Sequence, residues 1–107
     1  MIMQLACLLD DILPGTGVCA LIAGHQVALF RPTDGESLFA IGNQDPFYQA
    51  NVLSRGLIGE HEGEFWVASP LKKQRFRLRD GLCLDNPAVS VPAYRLELRG
   101  REVWVAV

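Results

Sequence analysis

Apolar residues along the chain come in short runs separated by turn residues, a spacing that predicts strands rather than helices. Val18–Ile22 and Val27–Arg31 flank Ala23-Gly24-His25-Gln26 and read as a hairpin, and Asp34-Gly35 leads into a third strand at Ser37–Ile41. Glu64–Ala68 reads as a further strand, closed off by Ser69-Pro70. Gln74–Arg79 alternates strictly, with Phe76 and Leu78 on one face and Arg75, Arg77 and Arg79 on the other. Asp80-Gly81 turns into Leu82–Leu84, and Tyr94–Leu98 and Glu102–Val107 form a last hairpin about Arg99-Gly100-Arg101. The run Val103-Trp104-Val105-Ala106-Val107 is apolar throughout, which predicts a strand covered on both faces.

Elsewhere the pattern is broken. Leu8–Leu13 makes one helical turn or a bend, ended by Pro14-Gly15-Thr16-Gly17. From Gly42 to Gly63 no clean alternation survives, and an irregular excursion is expected there, with a single helical turn in Ala50–Arg55. No stretch sustains a helical period long enough for an amphipathic helix. About seven or eight short strands, with turns roughly every 8–12 residues, predict a small all-β fold, an antiparallel sandwich or barrel. Residues 1–107 read as one domain without repeats or linker.

Composition narrows the function classes. Half of the 107 residues are apolar and 21% are charged, a globular balance. The net charge of −2 gives no basic surplus for nonspecific nucleic-acid binding. The longest apolar run, Val18–Ala23, falls far short of the ~20 residues of a membrane helix. Met1-Ile2-Met3-Gln4-Leu5 lacks the basic start of a signal peptide, so a cytoplasmic location is expected. Cys7, Cys19 and Cys83 are too few and too scattered for a disulfide scaffold.

Motifs for catalysis are missing. Cys7, Cys19, Cys83, His25 and His61 offer no paired spacing for zinc, and idle thiols with turn histidines are the plainer reading. No nucleophile elbow and no phosphate-cradling glycine loop occurs, and Gly15-Thr16-Gly17 reads as a turn. Charge is more informative: Lys72, Lys73, Arg75, Arg77 and Arg79 hold five of the ten basic residues. On a strand, positions 73, 75, 77 and 79 share one face. That stripe is a solvated face, a docking surface for an acidic partner, or a site for an anionic ligand or nucleic acid. Glu60, Glu62 and Glu64 supply a matching acidic alternation, expected as its cross-strand neighbour.

The middle of the chain resembles the Rieske iron–sulfur fold. Rieske domains read C-x-H in a first loop and C-P-x-H in a second, where two thiolates hold one iron and two imidazoles the other. Here Asn43-Gln44-Asp45 stands at the first and Ser69-Pro70-Leu71-Lys72 at the second, while Pro70, Arg75, Phe76 and Gly81 keep the supporting pattern. All four ligands, at Asn43, Asp45, Ser69 and Lys72, are replaced. The resemblance places a two-loop subdomain at about residues 42–80. It also brings Asp45 and Lys72 together at one tip, where an ion pair is expected in the cluster's place.

A narrower resemblance covers about residues 7–98. Asp45-Pro46-Phe47, Val52-Leu53-Ser54-Arg55-Gly56 and Ala68-Ser69-Pro70-Leu71-Lys72-Lys73-Gln74-Arg75-Phe76, in that order, are similar to the small-subunit family of cytoplasmic NAD(P)H-dependent nitrite reductases. Family members commonly begin with a tryptophan-containing segment, which Met1–Ala6 lacks. The resemblance implies a subunit with no catalytic, cofactor-binding or metal-binding residues of its own. It supports a large subunit that carries FAD, an iron–sulfur cluster and siroheme and takes nitrite to ammonium in nitrogen assimilation. Lys72, Lys73, Gln74, Arg75 and Arg55 are the expected partner interface. A Rieske-type electron carrier and a stand-alone β binding module are the competing readings.

Overall fold

The computed structural model describes residues 2–107; Met1 lies outside them. The strands run β1 (Met3–Leu8), β2 (Thr16–Ile22), β3 (His25–Arg31), β4 (Phe39–Gly42), β5 (Gln44–Asp45) and β6 (Ala50–Asn51). They continue as β7 (Leu57–His61), β8 (Glu64–Ala68), β9 (Arg75–Arg77), β10 (Ala93–Arg99) and β11 (Glu102–Ala106). Single 3-10 turns occupy Leu9–Asp11 and Leu53–Arg55, at the two places where a helical turn is predicted.

Six strands form an antiparallel sheet in the order β1-β11-β10-β4-β3-β2, and β1 returns against β2 so that the sheet nearly closes into a barrel. A three-stranded antiparallel sheet, β7-β8-β9, and the short β5-β6 ribbon are inserted between β4 and β10. The β2–β3 and β7–β8 hairpins turn on Ala23-Gly24 and Glu62-Gly63. Both residues of each pair have positive φ (49° and 82°, 51° and 81°), the backbone that matches the twist of two-residue hairpins.

Strand β3 is the shared wall. Val27, Ala28, Leu29 and Phe30 are all completely buried. Val27 and Leu29 point into the barrel with Ile12, Ile22, Ala40, Val103 and Val105. Ala28 and Phe30 point the other way, into a second core with Leu53, Val67, Phe76, Leu78 and Cys83. Each large side chain so enclosed stabilises the fold by roughly 1.5–3 kcal/mol relative to exposure. The two-faced burial expected of Val103–Val107 is therefore complete at β3 instead. On β11, Val103 and Val105 are buried but Trp104 stays half-exposed.

Several sequence expectations need correction. Leu82–Leu84 is not a strand: it makes only the isolated bridges Phe76↔Cys83 and Leu82↔Ser90. Strand character in Gln74–Arg79 is confined to Arg75–Arg77, because Gly81 N–H bonds back to Arg77 C=O and the chain turns. The excursion at 42–63 contains two ribbon strands and all of β7. Strand β1, absent from the sequence reading, pairs with β11 through a bulge between Leu5 and Cys7.

Candidate functional site

The polar burial of the molecule is concentrated where the two loops after β4 and β8 meet. Among the described residues, Asn43, Asp45, Ser54 and Ser69 are the buried polar ones, and each must find partners there. Asn43 follows β4 directly, and its N–H and C=O bond to Gln26 C=O and Leu53 N–H. Its side chain accepts from Ser54 N–H at 2.8 Å and donates to Cys19 Sγ at 3.3 Å. Asp45 closes the β5–β6 turn: Oδ1 accepts the Phe47 N–H at 2.8 Å and its own C=O accepts the Gln49 N–H.

The second loop runs from Ser69 to Gln74, closed by Ser69 N–H to Gln74 C=O and Lys73 N–H to Ser69 C=O. The Ser69 hydroxyl donates to Asp45 Oδ2 at 2.6 Å and accepts the Leu71 N–H at 3.3 Å. One buried bond thus ties loop to loop. Three of the four replaced positions, Asn43, Asp45 and Ser69, are inward and hydrogen-bonded.

Lys72 is not among them. It is exposed, and the carboxylate expected to face it is bonded to Ser69 instead. The physical reason is desolvation: a neutral hydroxyl fills a buried acceptor without burying a second charge, whereas a buried ammonium must lose its water. The expected Asp45–Lys72 ion pair is replaced by the Asp45–Ser69 bond.

These residues do not fit a 2Fe-2S cluster. Two thiolates and two imidazoles are required; an amide, a carboxylate, a hydroxyl and an outward ammonium stand in their places, with Asp45 and Ser69 bonded to each other and the Asn43 amide to Ser54 and Cys19. Among the described residues no three His, Cys, Asp or Glu side chains converge on a metal position. Cys19, on β2, is the thiol closest in contact. Partial burial pushes its pKa up, with Arg55 and the Asn43 hydrogen bond opposing.

The basic stripe separates into two parts. Arg75 forks onto Asp85 (Nη2 to Oδ1 2.9 Å) and lies over the Trp66 ring. Arg77 pairs with Asp80 at 2.5 Å and Glu64 at 3.6 Å, and Arg79 reaches Glu64 at 2.7 Å. Of the acidic alternation, Glu64 supplies the cross-strand partner. Lys73 leaves the shared face altogether, because its backbone turns to φ 65° ahead of β9. Lys72, Lys73 and Arg55 are exposed, while Gln74 is half-buried with its Oε1 enclosed.

What the sequence reading missed is apolar. Phe47 and Tyr48 on the first loop and Leu71 on the second stand out at 36%, 45% and 42% exposure. The signal was present in Asp45-Pro46-Phe47, whose carboxylate sets the turn that carries the ring outward. Beside the tip opens a cleft of about 440 Å³, lined by His25, Gln26, Gln44, Asn51 and Tyr94 among others.

Residues 3–106 match the family described as Rieske-like [2Fe-2S] domain. The chain is 66% identical over 91 residues to the nitrite reductase (NADH) small subunit of Salmonella typhimurium, covering 85% of this chain and 84% of that one. The solved structure of the Escherichia coli protein NirD superposes with a TM-score of 0.87 at 55% identity, over 97% of this chain and 96% of that one. The nitrite reductase [NAD(P)H] large subunit of Klebsiella oxytoca is 44% identical over 102 residues, which is 95% of this chain but 10% of that polypeptide.

Proposed function

The chain belongs to the Rieske-like domain family and, within it, to the small subunits of NADH nitrite reductase, and from that membership we propose how it works. It is the small subunit of an NAD(P)H-dependent nitrite reductase, with the large subunit as its partner, and is itself noncatalytic. The observation that carries the noncatalytic role is the Asp45–Ser69 bond. Two positions that in a cluster-bearing relative would each ligate iron are engaged with each other, so electrons have no carrier here.

The six-electron reduction of nitrite to ammonium then belongs to the large subunit, whose FAD, iron–sulfur cluster and siroheme supply the redox chemistry. This chain contributes a shaped surface. We assign residues 1–107 to one domain, with the loop subdomain at about 42–80, and place the assembly in the cytoplasm. Among the described residues no helix is long and apolar enough to cross a membrane. The charged part of the interface is proposed at Lys72, Lys73, Gln74, Arg75 and Arg55. Exposure of Lys72, Lys73 and Arg55 supports it, whereas Arg75 takes part with its charge already matched by Asp85.

Co-expression with the large subunit tests the reading. The tagged chain is expected to hold the large subunit through purification, and nitrite-dependent NAD(P)H oxidation is expected to fall when it is left out. A chain that elutes alone and leaves the activity unchanged would overturn it.

A further inference from the structure

We propose that the loop tip is an apolar docking face for the large subunit, centred on Phe47, Tyr48 and Leu71 and rimmed by Lys72 and Lys73. This rests on the small-subunit reading above and names the part of the surface that does the binding. Exposed apolar side chains scattered singly need no explanation, but these three sit on two loops that one bond joins. Asp45 holds the Phe47 amide, Ser69 holds the Leu71 amide, and Ser69 donates to Asp45. Phe47 and Leu71 are therefore each two residues from the same buried contact. The Phe47 ring also leans on buried Phe76, with centroids 6.3 Å apart.

Such a surface is pre-organised. A partner that binds it loses little freedom in ordering the loops, which is where much of the cost of association otherwise lies. Each loop holds one non-glycine residue in left-handed backbone, Gln49 at φ 54° and Lys73 at φ 65°. That strain persists only where the surroundings fix it.

Charge points to the partner's chemistry. The arginines of the neighbouring strand are matched by Asp85, Asp80 and Glu64. Lys72 and Lys73 are exposed and belong to none of the ion pairs among the described residues. The complement is an apolar hollow with an acidic rim. The occupant is the large subunit rather than a second copy: in the Klebsiella oxytoca large subunit a segment like this chain is covalently part of the same polypeptide, a tenth of its length.

The test measures affinity of the full chain for the isolated large subunit, at low and at physiological salt. The variants are Tyr48→Ala/Leu71→Glu, Lys72→Glu/Lys73→Glu, and Leu98→Glu on β10, with folding checked by the amide spectrum of buried residues. The apolar double variant is expected to weaken binding at least tenfold at both salts. The charge-reversed one should weaken it chiefly at low salt, and Leu98→Glu should leave it unchanged. Wild-type binding that the apolar variant leaves intact overturns the tip as the face while the small-subunit reading stands. No wild-type binding overturns that reading and this occupant together. Self-association of the chain that Tyr48→Ala/Leu71→Glu abolishes would make the face a contact between copies, and also overturns the proposal.

Discussion

Ser69 and Asp45, 24 residues apart, meet through a 2.6 Å hydrogen bond, both out of contact with water. The relationship explains how two irregular loops are tied into one fixed shape. A carboxylate with four acceptor sites is served by a hydroxyl and a backbone amide, and the hydroxyl in turn serves a second amide.

We predict that Ser69→Ala destabilises the chain by about 1–3 kcal/mol, because it strands a buried carboxylate oxygen and the Leu71 amide together. Urea unfolding reads the loss. Amide shifts should move at Phe47 and Leu71 and stay still in the barrel; an unchanged midpoint would mean that water replaces the hydroxyl without penalty.

Phe76→Ala removes the ring that the second core closes around, and is expected to cost about 3–5 kcal/mol. Phe47→Ala, at the exposed end of the same aromatic pair, should cost no more than about 1 kcal/mol. Thermal unfolding of the two variants side by side checks the contrast. Equal losses would show the tip ring to be a core residue.

Two glycines separate crowding from backbone strain. At Gly56 an added Cβ would lie 2.2 Å from the Ala68 carbonyl oxygen, so Gly56→Ala must push β8 away and is expected to cost about 1–3 kcal/mol. At Gly63 the space is open but φ is +81°, and Gly63→Ala should cost only about 1–2 kcal/mol, from the left-handed backbone. Crystal structures of the two variants should show a shifted β8 in the first alone.

Acid should weaken the loop between β9 and the Gly81 turn. Asp80 has its pKa lowered from 3.8 to about 2, mainly by the Arg77 hydrogen bond, and Asp85 is lowered by Arg75. A depressed carboxylate adds stability above its unfolded pKa and loses it as pH falls through the folded one. The contribution is whole above about pH 4 and fades toward pH 2, and Asp80→Asn should flatten that part of the stability profile. The pairs are partly exposed, so added salt should shrink the effect.

Thiol labelling orders the cysteines. Cys83 is fully buried and should react only on unfolding, whereas exposed Cys19 should react in the native state. Its raised pKa makes it slower than an unperturbed thiol at neutral pH. Mass spectrometry after timed alkylation checks this, and fast labelling of Cys83 would reveal opening of the second core.

Much of the barrel is legible from alternation and turn residues: β2, β3, β8, β10 and β11 lie where their apolar runs put them. Strand β7 is not, because Gly59, Glu60 and His61 carry no apolar alternation. Gly59 is there for another reason: Trp66 from β8 fills the space a Cβ would need. The replaced ligand positions are legible through the resemblance, yet their partners are not. Spacing sets which residues approach one tip but not which side chain turns inward, and burial chose the hydroxyl of Ser69 over the charge of Lys72. Likewise, the arginine stripe looks free in one dimension because Asp80, Asp85 and Glu64 reach it only after the chain turns.

Strand β3 gives adjacent residues separate addresses. Changes at Val27 or Leu29 disturb the barrel's registry, while changes at Ala28 or Phe30 reach the loops, although all four share one backbone. Evolution can therefore retune the binding end of such a chain by editing every second letter of a four-letter stretch, and leave its scaffold alone.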